Sequence, residues 1–96
     1  MSDEEIIPLE TICTYYQVEL SFIETLVSHG LIAITYQEDQ RFILREEVGD
    51  LEKYSRMYYE LNINVPGIDA LHHLLEKMKQ LKQEAEGLKA RLRIYE

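Results

Sequence analysis

The stretch VELSFIETLVSHGLI, residues 18–32, decides how the rest of the chain is read. Apolar side chains recur at Phe22, Ile23, Leu26 and Val27, the spacing of one helical face. Gly30 follows, and glycine supplies the left-handed residue on which helices commonly end. Val18 is placed to plug a turn ahead of this helix. The pattern is that of the second helix of a helix-turn-helix. In a DNA reader its outward face carries Arg, Lys, Asn or Gln, which reach phosphates and base edges. Here the outward positions are Glu19, Ser21, Glu24, Thr25 and Ser28. The scaffold of a reading helix is present without its phosphate contacts.

Upstream, residues 6–16 (IIPLETICTYY) put Leu9, Ile12, Cys13 and Tyr16 on one face and predict a short first helix. Pro8 fits just before or within its first turn. Downstream, Leu31, Ile32, Ile34, Thr35 and Tyr36 are strand formers, as are Phe42, Ile43 and Leu44. The polar run QEDQR between them predicts a two-stranded β-hairpin, or wing. Glu46 and Glu47 open a third helix, where acids suit the positive end of the helix dipole. It is expected to reach Asn62 with Val48, Leu51, Tyr54, Tyr58 and Leu61 inward, weakened by about 1 kcal/mol at Gly49.

NINVPG, residues 62–67, breaks the chain, with Asn64 as a helix cap and Pro66 tolerated in the first turn. One helix then runs to the end. Leu71, Leu74, Met78, Leu81, Ala85, Leu88, Leu92 and Tyr95 recur at alternating intervals of three and four, a heptad seam. A lone amphipathic helix cannot bury such a seam. Leu71 to Leu75 are expected to pack on the chain's own first three helices. Met78, Leu81, Ala85, Leu88, Leu92 and Tyr95 are assigned to pairing with a second copy. The organisation is therefore a winged helix-turn-helix-like domain over residues 1–63 and a long helix for packing and dimerisation over residues 64–96. The class is mostly α with a small β-hairpin wing.

The charge of −8 is unevenly spread. Residues 1–40 hold eight acids (Asp3, Glu4, Glu5, Glu10, Glu19, Glu24, Glu38 and Asp39) and no Lys or Arg. Six basic residues fall in 66–96. Affinity for nucleic acid rests mainly on Lys and Arg neutralising phosphates, so the acidic pole repels a duplex and DNA binding is not expected. Hydrophobic residues make up 46%, too many for a disordered chain. The single cysteine, Cys13, excludes an internal disulfide and fits a reducing cytoplasm. No apolar run approaches the roughly 18–20 residues of a membrane span, and the acidic start MSDEEII is unlike a secretory signal.

Catalytic signals are poor. His72 and His73 are adjacent, so a helix points them about 100° apart and they do not readily share a metal. They read as surface residues flanking the seam. Cys13 sits on the apolar face of the first helix, where a thiol usually belongs to the core. Gly30, Gly49, Gly67 and Gly87 are scattered and form no phosphate loop. No enzyme, cofactor or metal is expected. Of the seven tyrosines, Tyr16, Tyr54 and Tyr58 fit the core pattern, whereas Tyr15 and Tyr59 fall off it and suit an interface.

Two helices, a wing, a third helix, a break and a long coiled-coil helix form the layout of the MerR-like winged helix-turn-helix group. Residues 61–92, LNINVPGIDALHHLLEKMKQLKQEAEGLKARL, resemble the C-terminal half of the chaperone-modulator (CbpM) family within that group. The Val-Pro-Gly-Ile run at 65–68 resembles its apolar-Pro-Gly-Ile step, and LKQE with the following LKARL resembles its tail. Residues 18–32 are similar to its second helix and Gly-apolar-apolar exit. The resemblance implies a partner of a DnaJ-type co-chaperone that binds the J-domain and restrains its work with Hsp70. An acidic reading helix needs a basic partner, and a J-domain's second helix is typically rich in Lys and Arg. Glu19, Glu24, Glu38, Asp39 and Tyr59 are the candidate partner-binding residues. The alternative is a MerR-like transcriptional regulator, which would have to bring the basic patch of residues 77–93 to DNA. A dimerisation module for some other basic partner is a third reading.

Overall fold

The computed structural model describes residues 5–95, so Asp3 and Glu4 of the acidic pole lie outside the described residues. The elements run β1 (Ile6–Pro8), α1 (Leu9–Tyr16), α2 (Leu20–Ser28), β2 (Thr35–Gln37), β3 (Gln40–Leu44), α3 (Val48–Ser55) and α4 (Val65–Tyr95). A 3-10 turn at Arg45–Glu47 leads into α3, and a π-helical segment at Arg56–Glu60 continues it.

The helix-turn-helix forms as its residues dictate. Gln17 takes a left-handed conformation after α1, and the Val18 N–H reaches back to the Cys13 carbonyl at 3.1 Å. Val18 is buried in the turn. At the far end of α2, Gly30 has φ +74°, and the Leu31 N–H donates to the Leu26 carbonyl at 3.0 Å. That six-to-one bond with a left-handed glycine is a Schellman stop, which satisfies carbonyls the helix would otherwise leave open.

The wing forms between β2 and β3, paired Thr35 with Phe42, Tyr36 with Arg41 and Gln37 with Gln40, but it sits later than expected. Leu31 to Ile34 lie outside the strand, and Gln37, Gln40 and Arg41 of the expected loop belong to the ladder. Its two-residue turn, Glu38 and Asp39, has φ 53° and 64°. Two left-handed residues match a type I′ turn, whose twist suits a tight hairpin. The sheet has a third strand that the sequence reading placed at the start of the first helix. Ile6, Ile7 and Pro8 pair antiparallel with Leu44, Ile43 and Phe42, giving the order β1-β3-β2. Pro8 cannot donate to a ladder, and the outer position of β1 accommodates it. The first helix is thereby confined to Leu9–Tyr16.

The core draws on every helix and the central strand: Leu9 and Ile12 from α1, Phe22, Ile23 and Leu26 from α2, Ile43 from β3, Leu51 and Tyr54 from α3, and Val65 and Ile68 from α4. The first turns of the long helix are thus part of the globular head. Asn64 caps it, with Oδ1 accepting from the Gly67 N–H at 2.9 Å.

Two expectations fail at the end of the third helix. Tyr58 and Leu61 were expected inward, but they are 36% and 64% exposed. The cause is the π-segment. Each π-turn takes an extra residue, so the inward face slips after Tyr54 and half-buried Met57 and Ile63 close the core instead. A third correction concerns α4. Leu71 is half-buried, but Leu74 and Leu75 are exposed, so packing on the head stops a turn earlier than expected. Beyond that point α4 projects. Its 31 residues span about 46 Å. The radius of gyration is 17.6 Å, against roughly 12–13 Å for a compact chain of this length.

Candidate interaction surface

Helix α2 turns Phe22, Ile23 and Leu26 into the core, which leaves Ser21, Glu24, Thr25 and Ser28 facing water. Two of these hydroxyls donate within the helix. Thr25 Oγ1 donates to the Ser21 carbonyl at 2.8 Å and Ser28 Oγ to the Thr25 carbonyl at 2.7 Å. Glu24 lies 3.5 Å from the Arg41 guanidinium of β3. Both side chains are open to solvent, so the pair contributes little to stability, at most about 1 kcal/mol. Its electrostatic effect is larger: it neutralises the wing's one basic group at the reading helix.

The sequence-derived acids fall in two places. Asp39 lines a cleft of about 320 Å³ with Glu10, Gln40, Arg41 and the Pro8–Leu9 corner, and Arg41 joins this cleft to Glu24 of α2. Glu38 is exposed beside Asp39 in the turn. Glu19, the cap residue of α2, is exposed, and its side chain makes no capping bond. Its backbone N–H donates instead to Tyr59 Oη at 3.1 Å. Tyr59 is thereby fixed against α2, with its ring centroid 5.4 Å from that of Phe22 and 4.8 Å from that of Tyr58. Tyr58 stacks at 4.6 Å on Phe22. Both tyrosines wall a cleft of about 350 Å³ shared with Asn62, Ile63 and Asn64.

The joint between the head and α4 holds all three histidines, which sequence reasoning left as surface residues or did not connect. His29, where α2 ends, lies 2.8 Å from Asp69 Oδ2 on α4. His73 Nδ1 lies 2.9 Å from the Asp69 backbone carbonyl and 2.9 Å from Oδ1, which is shut from solvent and has no hydrogen bond of its own. The His29 hydrogen bond, with the neighbouring His73, holds the Asp69 carboxyl below its ordinary value against some desolvation. His72 is half-buried, 3.2 Å from Tyr54 Oη. Burial pushes the Tyr54 phenol up, with nearby carboxylates led by Asp50 adding to the shift. Forty residues separate His29 from Asp69, so no local spacing could reveal the contact. Among the described residues no three His, Cys, Asp or Glu side chains gather as metal ligands would. The Cys13 thiol is half-buried, and burial raises its pKa, which keeps it protonated.

Of the residues assigned to pairing, Met78, Leu81, Ala85, Leu88, Leu92 and Tyr95 all lie on α4 with no cover from the head. No helix of the described residues is long and apolar enough to cross a membrane.

The family model described as MerR HTH family regulatory protein matches residues 7–90, from β1 to the outer part of α4. No curated protein and no solved structure matches the chain significantly.

Proposed function

The chain belongs to the MerR HTH family of regulatory proteins, and we propose that on this scaffold it is a non-enzymatic module that binds the J-domain of a DnaJ-type co-chaperone and restrains its work with Hsp70. The observation that carries the reading is the state of α2. Thr25 and Ser28 donate to carbonyls of their own helix, and Glu24 takes the wing's Arg41. What the head offers a partner is still mainly acidic: Glu19 beside the Tyr59 ring, Glu38 and Asp39 at the wing tip, and Glu24, whose contact with Arg41 is open to solvent. A fold does not oblige its owner to keep the usual ligand. The resemblance of residues 61–92 to chaperone modulators supplies a partner with the complementary charge. The protein acts as a homodimer in the cytoplasm, joined through the outer seam of α4.

The interaction is tested by calorimetry with a purified J-domain. Binding should weaken as salt rises, because exposed charges are screened over about 10 Å at 0.1 M. Glu19→Lys with Glu24→Lys should slow association at low salt while leaving helical circular dichroism unchanged. A double variant that associates as fast as wild type sinks the acidic contact. The second reading is a DNA-binding regulator, a role open to a regulator-type domain of this family. It requires saturable, sequence-dependent gel shifts by the isolated protein at low salt, and their appearance would overturn the first.

A further inference from the structure

The π-segment creates a surface that an α-helix would have hidden. In a continuous α-helix, Tyr58 and Leu61 would follow Leu51 and Tyr54 onto the buried face. Instead the Leu61 N–H donates five residues back to the Arg56 carbonyl at 3.1 Å, and the Ile63 N–H donates to Met57 at 2.9 Å. Asn62 then reverses the chain with φ 58°, a left-handed conformation that asparagine tolerates better than most residues. The result is an exposed shelf of Tyr58 and Tyr59 over the side of Phe22, with Leu61 exposed two residues further along the chain and Leu20 partly open next to Glu19 at the start of α2. π-Turns are rare and gather at functional sites.

We infer that this shelf, rather than the wing, is the apolar anchor of the partner site, and that it receives the apolar stripe of a cationic amphipathic helix. The inference rests on the reading of the head as a protein-binding module and deepens it. The shelf has the makings of an interface centre. The two tyrosines are held by edge-to-face contact with each other and, at Tyr59, by the Glu19 amide, and an exposed leucine follows two residues on. Aromatic anchors with little conformational freedom to lose dominate binding energy at interfaces. The chemistry of the occupant follows from the rim. Glu19 is bonded through its backbone to Tyr59, and Glu60 is the next residue in the π-segment; both side chains are exposed. Residues 5–64 carry eleven acids and four bases, so the whole head favours a cation-rich visitor. The cleft of about 350 Å³ beside the tyrosines is large enough to take one or two side chains of a docked helix.

The experiment compares wild type, Leu61→Ser and Tyr59→Phe by calorimetry against two probes. One is a purified J-domain; the other is a synthetic amphipathic helix with lysines on one face and leucines on the other. Leu61 is largely exposed, so Leu61→Ser should melt as wild type does. It should raise the dissociation constant for both probes roughly ten- to thirtyfold. Tyr59→Phe keeps the ring but not the bond to Glu19, and should give an intermediate loss. If the peptide binds through Leu61 and the J-domain does not bind, the shelf stands and the co-chaperone reading falls. If the J-domain binds Leu61→Ser as tightly as wild type while the Glu19→Lys, Glu24→Lys pair fails, the acidic contact stands and the shelf is overturned. It is also overturned if neither probe binds wild type, or if Leu61→Ser instead dissociates a dimer in sedimentation, which would make the shelf a self-interface.

Discussion

Replacing Leu88 with Lys tests what the outer half of α4 is for. Leu74, Met78, Leu81, Leu88 and Leu92 leave between 52% and 61% of their surface open in the single chain. Fully burying such a side chain contributes about 1.5–3 kcal/mol, so covering the open part contributes roughly 1–1.5 kcal/mol each. Five from each of two copies give on the order of 10–15 kcal/mol. Association costs about 4–15 kcal/mol in lost translational and rotational freedom. The two are close enough for the pairing to be sensitive to one position. A symmetric interface feels the change twice, so Leu88→Lys should cost about 2–3 kcal/mol, or roughly 30- to 150-fold in dissociation constant. This holds even if the new ammonium reaches solvent along its flexible stem. Sedimentation velocity over a concentration series should show wild type as a dimer at tens of micromolar and the variant as a monomer. Far-UV circular dichroism should fall with it, since an unpartnered helix is marginal in water. A wild type that is already monomeric at that concentration refutes the reasoning.

The joint at Asp69 should respond to acid. Its folded carboxyl is held below the ordinary value, chiefly by the His29 bond. Its contribution is therefore present above the ordinary carboxylate range and lost as pH falls through that range toward the lower folded value. Melting temperature should decline more steeply in wild type than in Asp69→Asn over roughly pH 5 to 2, and parallel curves would remove Asp69 from the account. Tyr54→Phe deletes the hydroxyl facing His72 and should lower stability in urea by about 0.5–1.5 kcal/mol at neutral pH, whereas an unchanged midpoint would show that the contact carries no weight. Two glycines on the same helix should behave oppositely. Gly87→Ala meets no neighbour within 4 Å and should stabilise by up to about 1 kcal/mol. A Cβ at Gly67 would lie 2.9 Å from Ile63 Cγ2 and 3.1 Å from the capping Asn64 Oδ1, so Gly67→Ala should gain nothing or lose stability in a thermal melt.

The elements legible in the sequence are those governed by neighbours along the chain. Phe22 to Gly30 and the Asn64 cap each depend on contacts within a turn or two, and each formed as its residues required. The hairpin was legible as well, but its turn shrank from QEDQR to Glu38 and Asp39 because cross-strand pairing drew the flanking residues into the ladder. β1 was misread because its partner is β3, more than thirty residues away, and because three residues ahead of a helix look locally like the helix's own start. Tyr58 and Leu61 were misread because an α-period was extended through a stretch where the hydrogen bonds run five residues back. Of the candidate site, the exposure of Glu19 and Glu24 was legible from their place off the apolar stripe, and that of Glu38 and Asp39 from their place in the polar run between the strands. The Glu24–Arg41 pair, the Tyr59 bond to Glu19 and the His29–Asp69 contact were not, since each joins segments that only the folded core brings together.

At the tip of the wing, backbone and side chain want different things. A type I′ turn is built most easily from Asn followed by Gly, which tolerate left-handed backbone. Here two carboxylates occupy those positions, side by side and with like charge. Three paired rungs between β2 and β3 hold the hairpin in register around this less favourable turn. Heat resistance alone would favour Asn-Gly at this corner, and the same exchange would erase both charges. The wing therefore trades durability for a negative tip, so improving the one by mutation erodes the other.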